Sequence, residues 1–283
     1  MSVNYRAKRL FDGLDTVIED AVVTVDGDQI QYAGPAKGAP AADETKDFGD
    51  ATITPGLFDC HVHIAWSGRV GRQSELVDAD GPLLAALRST LCCRQHLASG
   101  TTTVRDMGTN DGISYALREA EQSGLIHGPR VLACGPIICM TGGHCFELGG
   151  EADGIEGIMH RVRMEIKRSC DWIKLAAGGG VYGLHEAVHH SQLTVAELTA
   201  ACEVAHRAEK PVSSHCYSAE SIANSLDAGV DSLEHASFLT PELAERVAKA
   251  GVWICPTLAV YDKNLRFAKE CNSPQQLVEK SRE

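Results

Sequence analysis

Four histidines and one lysine stand where a metal site could be assembled. His61 and His63 are one residue apart in TPGLFDCHVHI (54 to 64), directly after Pro55-Gly56. In an extended strand residues i and i+2 share a face, so both imidazoles aim the same way and can reach one metal ion. Cys60 and Val62 are then expected to turn toward surrounding helices. Lys174 sits in DWIKLAAGGG, where period two puts Trp172, Lys174 and Ala176 on one face and Gly178-Gly179-Gly180 marks the carboxyl end. A charged lysine in a buried strand is costly when unpaired, and a core lysine paired with a carboxylate is the plain alternative. His215 in PVSSHCYS and His235 in DSLEHASFL each occupy the carboxyl end of a strand candidate. Singly, each histidine is readily explained as a satisfied core or edge residue. Together, at equivalent positions of the first, fourth, fifth and sixth units, they point to one shared site.

The elements that must position them follow from punctuation and period. Strand candidates cover 56 to 64, 101 to 107, 130 to 138, 171 to 177, 211 to 218, 231 to 237 and 252 to 258. Helix-like segments lie between them, among them LLAALRSTLCCRQHLASG, TVAELTAACEVAHRAEK and TPELAERVAKAG; several end on glycine, and Thr194-x-x-Glu197 forms a capping-box start. Strand and helix in alternation imply parallel strands with right-handed crossovers, hence an α/β fold, either a (β/α) barrel or a doubly wound sheet. Active sites of such barrels lie at the carboxyl ends of the strands, so one mouth would collect all five residues. The first fifty or so residues differ: AVVTVDGDQIQYAG reads as a hairpin turning at Gly27-Asp28. The expected organisation is a small β-rich domain over 1–55, part of a composite β-sandwich, and a (β/α) barrel over 56–283.

Composition narrows the function. The chain has 283 residues, 44% hydrophobic and 23% charged, with a formal net charge of −12 and no dense Lys/Arg run. This disfavours nucleic acid and anionic membrane surfaces and leaves a small molecule or peptide as the expected partner; a homo-oligomer is left open. No stretch approaches the roughly 18 consecutive apolar residues of a membrane span, and MSVNYRAKRLFDGLD lacks the apolar middle of a secretory signal, so a cytoplasmic location is expected. The eleven cysteines are scattered, with one adjacent pair (Cys92, Cys93) and an odd total. That suits reduced thiols, nearly all of them small apolar fillers, better than a disulfide framework.

PGLFDCHVH, the strand lysine at 174 and the strand histidines at 215 and 235 resemble the amidohydrolase superfamily of metal-dependent hydrolases along essentially the whole chain. The resemblance implies a TIM-like (β/α)8 barrel in which His61 and His63 hold the more buried of two divalent metal ions and His215 and His235 the more exposed one. Lys174, carboxylated by CO₂, would bridge the two. A carbamate is consistent with the physics, because an ammonium beside two dications is untenable whereas an anion with two oxygens serves both. Zinc suits imidazoles and a carbamate best, and a bridging water would become the nucleophilic hydroxide near neutral pH. TGGHCFELGG, IKLAAGGGV and HCYS look most like the imidazolonepropionase-related branch that includes Xaa-Pro and Xaa-Arg dipeptidases.

The implied activity is release of a C-terminal amino acid such as proline from a dipeptide. Opening of a cyclic amide is the enzymatic alternative, and a truncated metal-binding form without turnover is the other. Tyr217, two residues after His215, could donate to the scissile carbonyl or oxyanion, against a rim tyrosine with its hydroxyl in water. His144 is a candidate contact for the substrate's α-carboxylate, in a loop that Gly142 and Gly143 would let approach closely. His185, His189 and His190 read as solvated loop residues, and His96, His127, His160 and His206 as histidines without partners.

The family pattern also carries an aspartate at the end of an eighth strand, which shuttles a proton to the leaving amine. No such unit follows the seventh strand here. Asp262 lies in the wrong unit and Asp106 reads as a structural partner. The expectation is therefore a barrel lacking strand eight, belonging to a longer protein of roughly four hundred residues.

Overall fold

The computed structural model describes residues 1–66, 73–110, 112–183 and 185–283, without the side chains of 73–80. Backbone contacts divide the chain into two compact units, Met1–Leu57 and Phe58–Glu283.

The first unit is a sheet around β1 (Ser2–Phe11). β2 (Val17–Asp26) pairs antiparallel with it and then with β3 (Gln29–Pro35); β4 (Glu44–Asp47) and β5 (Thr52–Ile53) run parallel to β1. The hairpin turns at Gly27-Asp28 as expected, with Asp26 opposite Gln29 and Gly27 at φ +62°, a conformation glycine adopts without steric cost. Leu10, Ala21 and Val23 form its small core. β1 escaped sequence analysis because charged residues interrupt the apolar alternation in SVNYRAKRLF.

The second unit alternates strand and helix. β6 (Leu57–Val62), which starts at the boundary, leads through α1 (Gln73–Ala98) to β7 (Thr101–Asp106), α2 (Ile113–Gln122), β8 (Arg130–Leu132), α3 (Gly154–Lys167) and β9 (Ile173–Ala176). There follow α4 (Val195–Arg207), β10 (Val212–Cys216), α5 (Ala219–Ala228), β11 (Ser232–His235), α6 (Pro241–Ala250), β12 (Trp253–Cys255), α7 (Leu258–Arg266) and α8 (Gln275–Lys280). Two ladders result, β6-β7-β8 and the all-parallel β9-β10-β11-β12. A parallel bridge between Ile138 and Leu175 joins them: the Ile138 N–H donates to Lys174 O, and the Ala176 N–H donates to Ile138 O, each at 2.9 Å.

All seven strand candidates of this unit are present, and six of them begin and end within a few residues of their expected bounds. β8 is the exception, shortened to three residues, with its continuation making only the Ile138 bridge.

Local chemistry explains the helix boundaries. Thr194 and Glu197 make the reciprocal capping box of α4. Ser218 and Thr240 cap α5 and α6, and Gly229 and Gly251 close those helices in the left-handed conformation. Every residue of β9 and β10 is buried, so any polar side chain there must be bonded or functional. Among the described residues no helix is long and apolar enough to cross a membrane.

Candidate metal centre and active site

The carboxyl ends of β6, β9, β10 and β11 open on one cavity of about 480 Å³, lined among others by His61, His63, Lys174, His215 and His235. The imidazoles form a continuous cluster. Ring centroids are 5.4 Å apart for His61 and His63, 4.9 Å for His61 and His235, and 4.6 Å for His215 and His235. The structure therefore brings the five residues expected from sequence to one cavity.

Each ring has one nitrogen engaged away from its neighbours. His61 Nδ1 lies 2.6 Å from Glu234 Oε2, His63 Nδ1 is 3.0 Å from Gly108 O, and His215 Nε2 is 3.2 Å from Gly179 O. His235 Nδ1 contacts the Thr257 hydroxyl, which donates its own proton to Pro256 O and so accepts from the ring. Carboxylate, carbonyl and this hydroxyl oxygen are all acceptors, so each engaged nitrogen carries the proton and the other nitrogen of every ring is a free lone pair. Burial first, then neighbouring positive charge, lowers the basicity of all four, well below the usual range for His63, His215 and His235. Neutral imidazoles with oriented lone pairs are the form that binds a metal.

Lys174 completes the set. It is 1% exposed, its Nζ has no hydrogen-bond partner, and burial lowers its pKa. A core lysine paired to a carboxylate would not leave Nζ orphaned. Burial disfavours the ammonium form, and the free amine is the nucleophile that carbamate formation requires, so the donor set fits a metal group.

Donor atoms of His61, Glu234 and Cys255 also come within 4.8 Å of one another. There the Glu234 oxygens are already taken by His61, Arg105, Ser213 and Ser232, which leaves no free carboxylate lone pair directed at a metal.

The backbone is strained at this rim. His235 has φ +70°, Ala236 +50° and Thr257 +50°, and Cys145 beside His144 has +59°. Left-handed backbone at residues other than glycine costs about 1–3 kcal/mol each and collects at functional sites.

His144 stacks on His215, with centroids 3.9 Å apart, and its Nδ1 meets Glu186 Oε1 at 2.9 Å. Burial opposes charge on this ring, but Cys145 and Glu186 outweigh it and raise the pKa to about 10. Glu186 is held at about 2, against its own burial, by His144 and the N–H groups of Gly180 and Gly183. A cation therefore stands beside the neutral cluster. Of the two expected glycines, Gly143 packs closely, a Cβ there lying 2.9 Å from Gln192 Oε1, while Gly142 has no atom within 4 Å; against the His144 ring itself the close approach is Gly180's, where a Cβ would sit 2.1 Å from Cε1.

Tyr217 is 3% exposed and not a rim residue with its hydroxyl in water. Burial first, then Tyr261, pushes its pKa well above the usual value, and its oxygen accepts from the Tyr261 hydroxyl at 2.8 Å. The Tyr217 proton is thereby left to donate elsewhere.

Two further expectations, on Cys60 and His206, are corrected, and His96, Asp262 and Asp106 are placed. Cys60 is exposed rather than packed under helices, while Val62 is buried as expected. His206 has a partner, Asp231, at 2.9 Å, and His96 reaches the cavity wall. Asp262 pairs with Arg266 on α7, and Asp106 is structural, accepting from the Ile64 N–H at 3.0 Å.

Glu234, Arg105, Glu186 and Tyr261 were not singled out from sequence, and Gly180 only as part of the run that ends a strand. Opposite charges inside two strand candidates, TTTVRDM and DSLEHAS, were the available signal for Arg105 and Glu234; the 180s loop offers none for Glu186.

A parallel α/β unit thus carries imidazoles and a buried lysine together at its strand ends. The amidohydrolase family profile matches residues 52–282, and the chain belongs to that family. It is 28% identical over 235 residues to the ochratoxinase of Aspergillus niger, covering 74% of this chain and 48% of that protein. It is also 28% identical over 275 residues to the imidazolonepropionase of Rhizorhabdus wittichii, covering 83% and 64%. A solved prolidase complexed with N-methylphosphonate-L-proline superposes with a TM-score of 0.88 at 27% identity, covering 100% of this chain and 72% of its own. The chain spans about half the length of the curated ochratoxinase it matches. These neighbours imply a TIM-barrel-like α/β fold.

Proposed function

We propose that the protein is a binuclear metal-dependent amide hydrolase that releases a C-terminal amino acid, proline among them. The observation that carries the reading is the convergence of four neutral, tautomer-oriented imidazoles on an unpartnered buried lysine. His61 and His63 would hold one divalent cation, His215 and His235 a second, and Lys174, carboxylated by CO₂, would bridge them. When bound, the pair supplies an acidified water and polarises the scissile carbonyl; zinc suits these donors.

The remaining roles fall to side chains. The His144 imidazolium receives the substrate's α-carboxylate, a charge-assisted contact, and orients the scissile bond. Tyr217, protonated and relieved of its neighbour by the donated Tyr261 hydrogen bond, gives its own proton to the carbonyl oxygen as negative charge develops. The likeness to a prolidase bound to a proline phosphonate supports an imino-acid leaving group. The imidazolonepropionase relative favours a second reading, cyclic amide hydrolysis.

The test is metal analysis combined with a panel of Xaa-Pro and Xaa-Arg dipeptides, N-acyl amino acids and cyclic amides. Two equivalents of divalent metal and turnover of the dipeptides are expected. Turnover of cyclic amides alone would transfer the assignment to the second reading. Metal-free protein after preparation with zinc and bicarbonate would overturn both.

A further inference from the structure

Beneath the histidine cluster lies a buried polar hub for which the proposed function has no use. Glu234 is 0% exposed, and its two oxygens are divided unequally. Oε1 accepts from Arg105 Nη2 at 2.7 Å, Ser213 Oγ at 2.6 Å and Ser232 Oγ at 2.8 Å, while Oε2 is left to His61 Nδ1 at 2.6 Å. Arg105 is itself fixed: its Nε donates to Cys60 O at 2.7 Å and its guanidinium lies 4.5 Å from the Trp172 ring centroid. One arginine on β7 therefore holds the peptide preceding His61 and also the carboxylate that holds the His61 ring. It links the β6-β7-β8 ladder to the β9–β12 ladder directly under the site.

We propose that Glu234 is a positioning residue: clamped through Oε1 by Arg105, Ser213 and Ser232, it fixes His61 in the Nδ1–H tautomer and presents Nε2 to the metal position. What the free nitrogen holds rests on the proposed metal-dependent function, but the tautomer itself does not.

Replacing Glu234 by glutamine makes the mechanism testable, because an amide offers one acceptor oxygen and one donor group. Arg105 can only donate, so the amide oxygen turns to it and the NH₂ faces His61 Nδ1. That nitrogen must then accept, and the ring proton moves to Nε2, where it blocks the metal.

The experiment is long-range proton–nitrogen correlation NMR on metal-free, ¹⁵N-histidine-labelled protein, with His61 assigned by comparison with His61→Gln. The wild-type protein is expected to show the Nδ1–H tautomer at His61 and Glu234→Gln the Nε2–H tautomer. Zinc affinity, measured by chelator competition, should fall about 10- to 100-fold in the variant. A wild-type His61 proton on Nε2 would overturn the proposal without any variant, which covers the case in which Glu234→Gln does not fold. A lowered melting temperature with tautomer and zinc affinity unmoved would show a structural role only, and would likewise overturn it. If the wild-type tautomer is as expected yet no zinc binds, the metal-dependent function fails and the tautomer assignment stands.

Discussion

Two histidine–carboxylate pairs sit in the same cavity and hold opposite charge. His61 and Glu234 are 2.6 Å apart, closer than His144 and Glu186 at 2.9 Å, yet the basicity of His61 is lowered while that of His144 is raised to about 10. Burial first lowers His61, whereas at His144 Cys145 and Glu186 together outweigh burial; what else each carboxylate serves adds to the difference. Glu234 is shared with Arg105, whose guanidinium donates to Oε1 at 2.7 Å, so its negative charge is already matched before His61 is counted. The other donors to the Glu186 carboxylate are the uncharged N–H groups of Gly180 and Gly183 and the Gln192 amide, so its charge is available to His144. A hydrogen bond donated to a carboxylate orients an imidazole, but the net charge around the pair decides whether the ring is a lone-pair donor or a cation.

The sharpest way to break this contrast is at the centre of the neutral side. Lys174→Met removes the only amine of the cluster; metal content should collapse and hydrolysis fall on the order of 10³-fold, read by metal analysis and turnover together. Gly180→Ala attacks the charged side by sterics, since the added methyl would overlap the His144 ring. Turnover is expected to drop by about 10²-fold with metal retained.

Glu186→Gln tests the charge itself. The substrate KM should rise about tenfold at neutral pH, the worth of one charge-assisted contact. In the wild type KM should stay flat until the pH approaches about 10, whereas in the variant, which keeps Cys145 but loses the carboxylate, the climb should begin at lower pH. Stability follows the same groups. The stabilisation from the raised His144 is complete below pH 6.5 and lost as pH rises through about 10. That from the depressed Glu186 is complete above pH 4.5 and lost as pH falls through about 2. The melting-temperature gap between wild type and variant should therefore be widest between those limits and close on either side. Tyr261→Phe is the mildest change: it removes the donor that frees the Tyr217 proton, and kcat should fall about threefold with KM unchanged.

Much of the site was legible in the sequence because strand period and punctuation are local properties. His61 and His63 share a face through period two, and the Gly178-Gly179-Gly180 run places Lys174 near a carboxyl end. The hairpin at Gly27-Asp28 was legible for the same reason. What escaped depended on partners distant in the chain. Glu186 becomes the counter-ion of His144 only because two loops meet, and Cys60 is exposed although its pattern is that of a core residue. His206 looked unpartnered because Asp231 lies one βα unit away. Tyr217 was expected at the rim as readily as inside, and burial by Tyr261 and its surroundings decided between them.

The sequence by itself determined the alternation of parallel strands and helices, the five residues gathered at the strand ends and the type of chemistry they allow, since residue type and period are enough to aim side chains. Only the tertiary structure decided which nitrogen of each histidine is free, which histidine is charged and why Lys174 has no partner. Those properties are set by burial and by the sum of neighbouring charges, and both exist only once distant segments have been packed together.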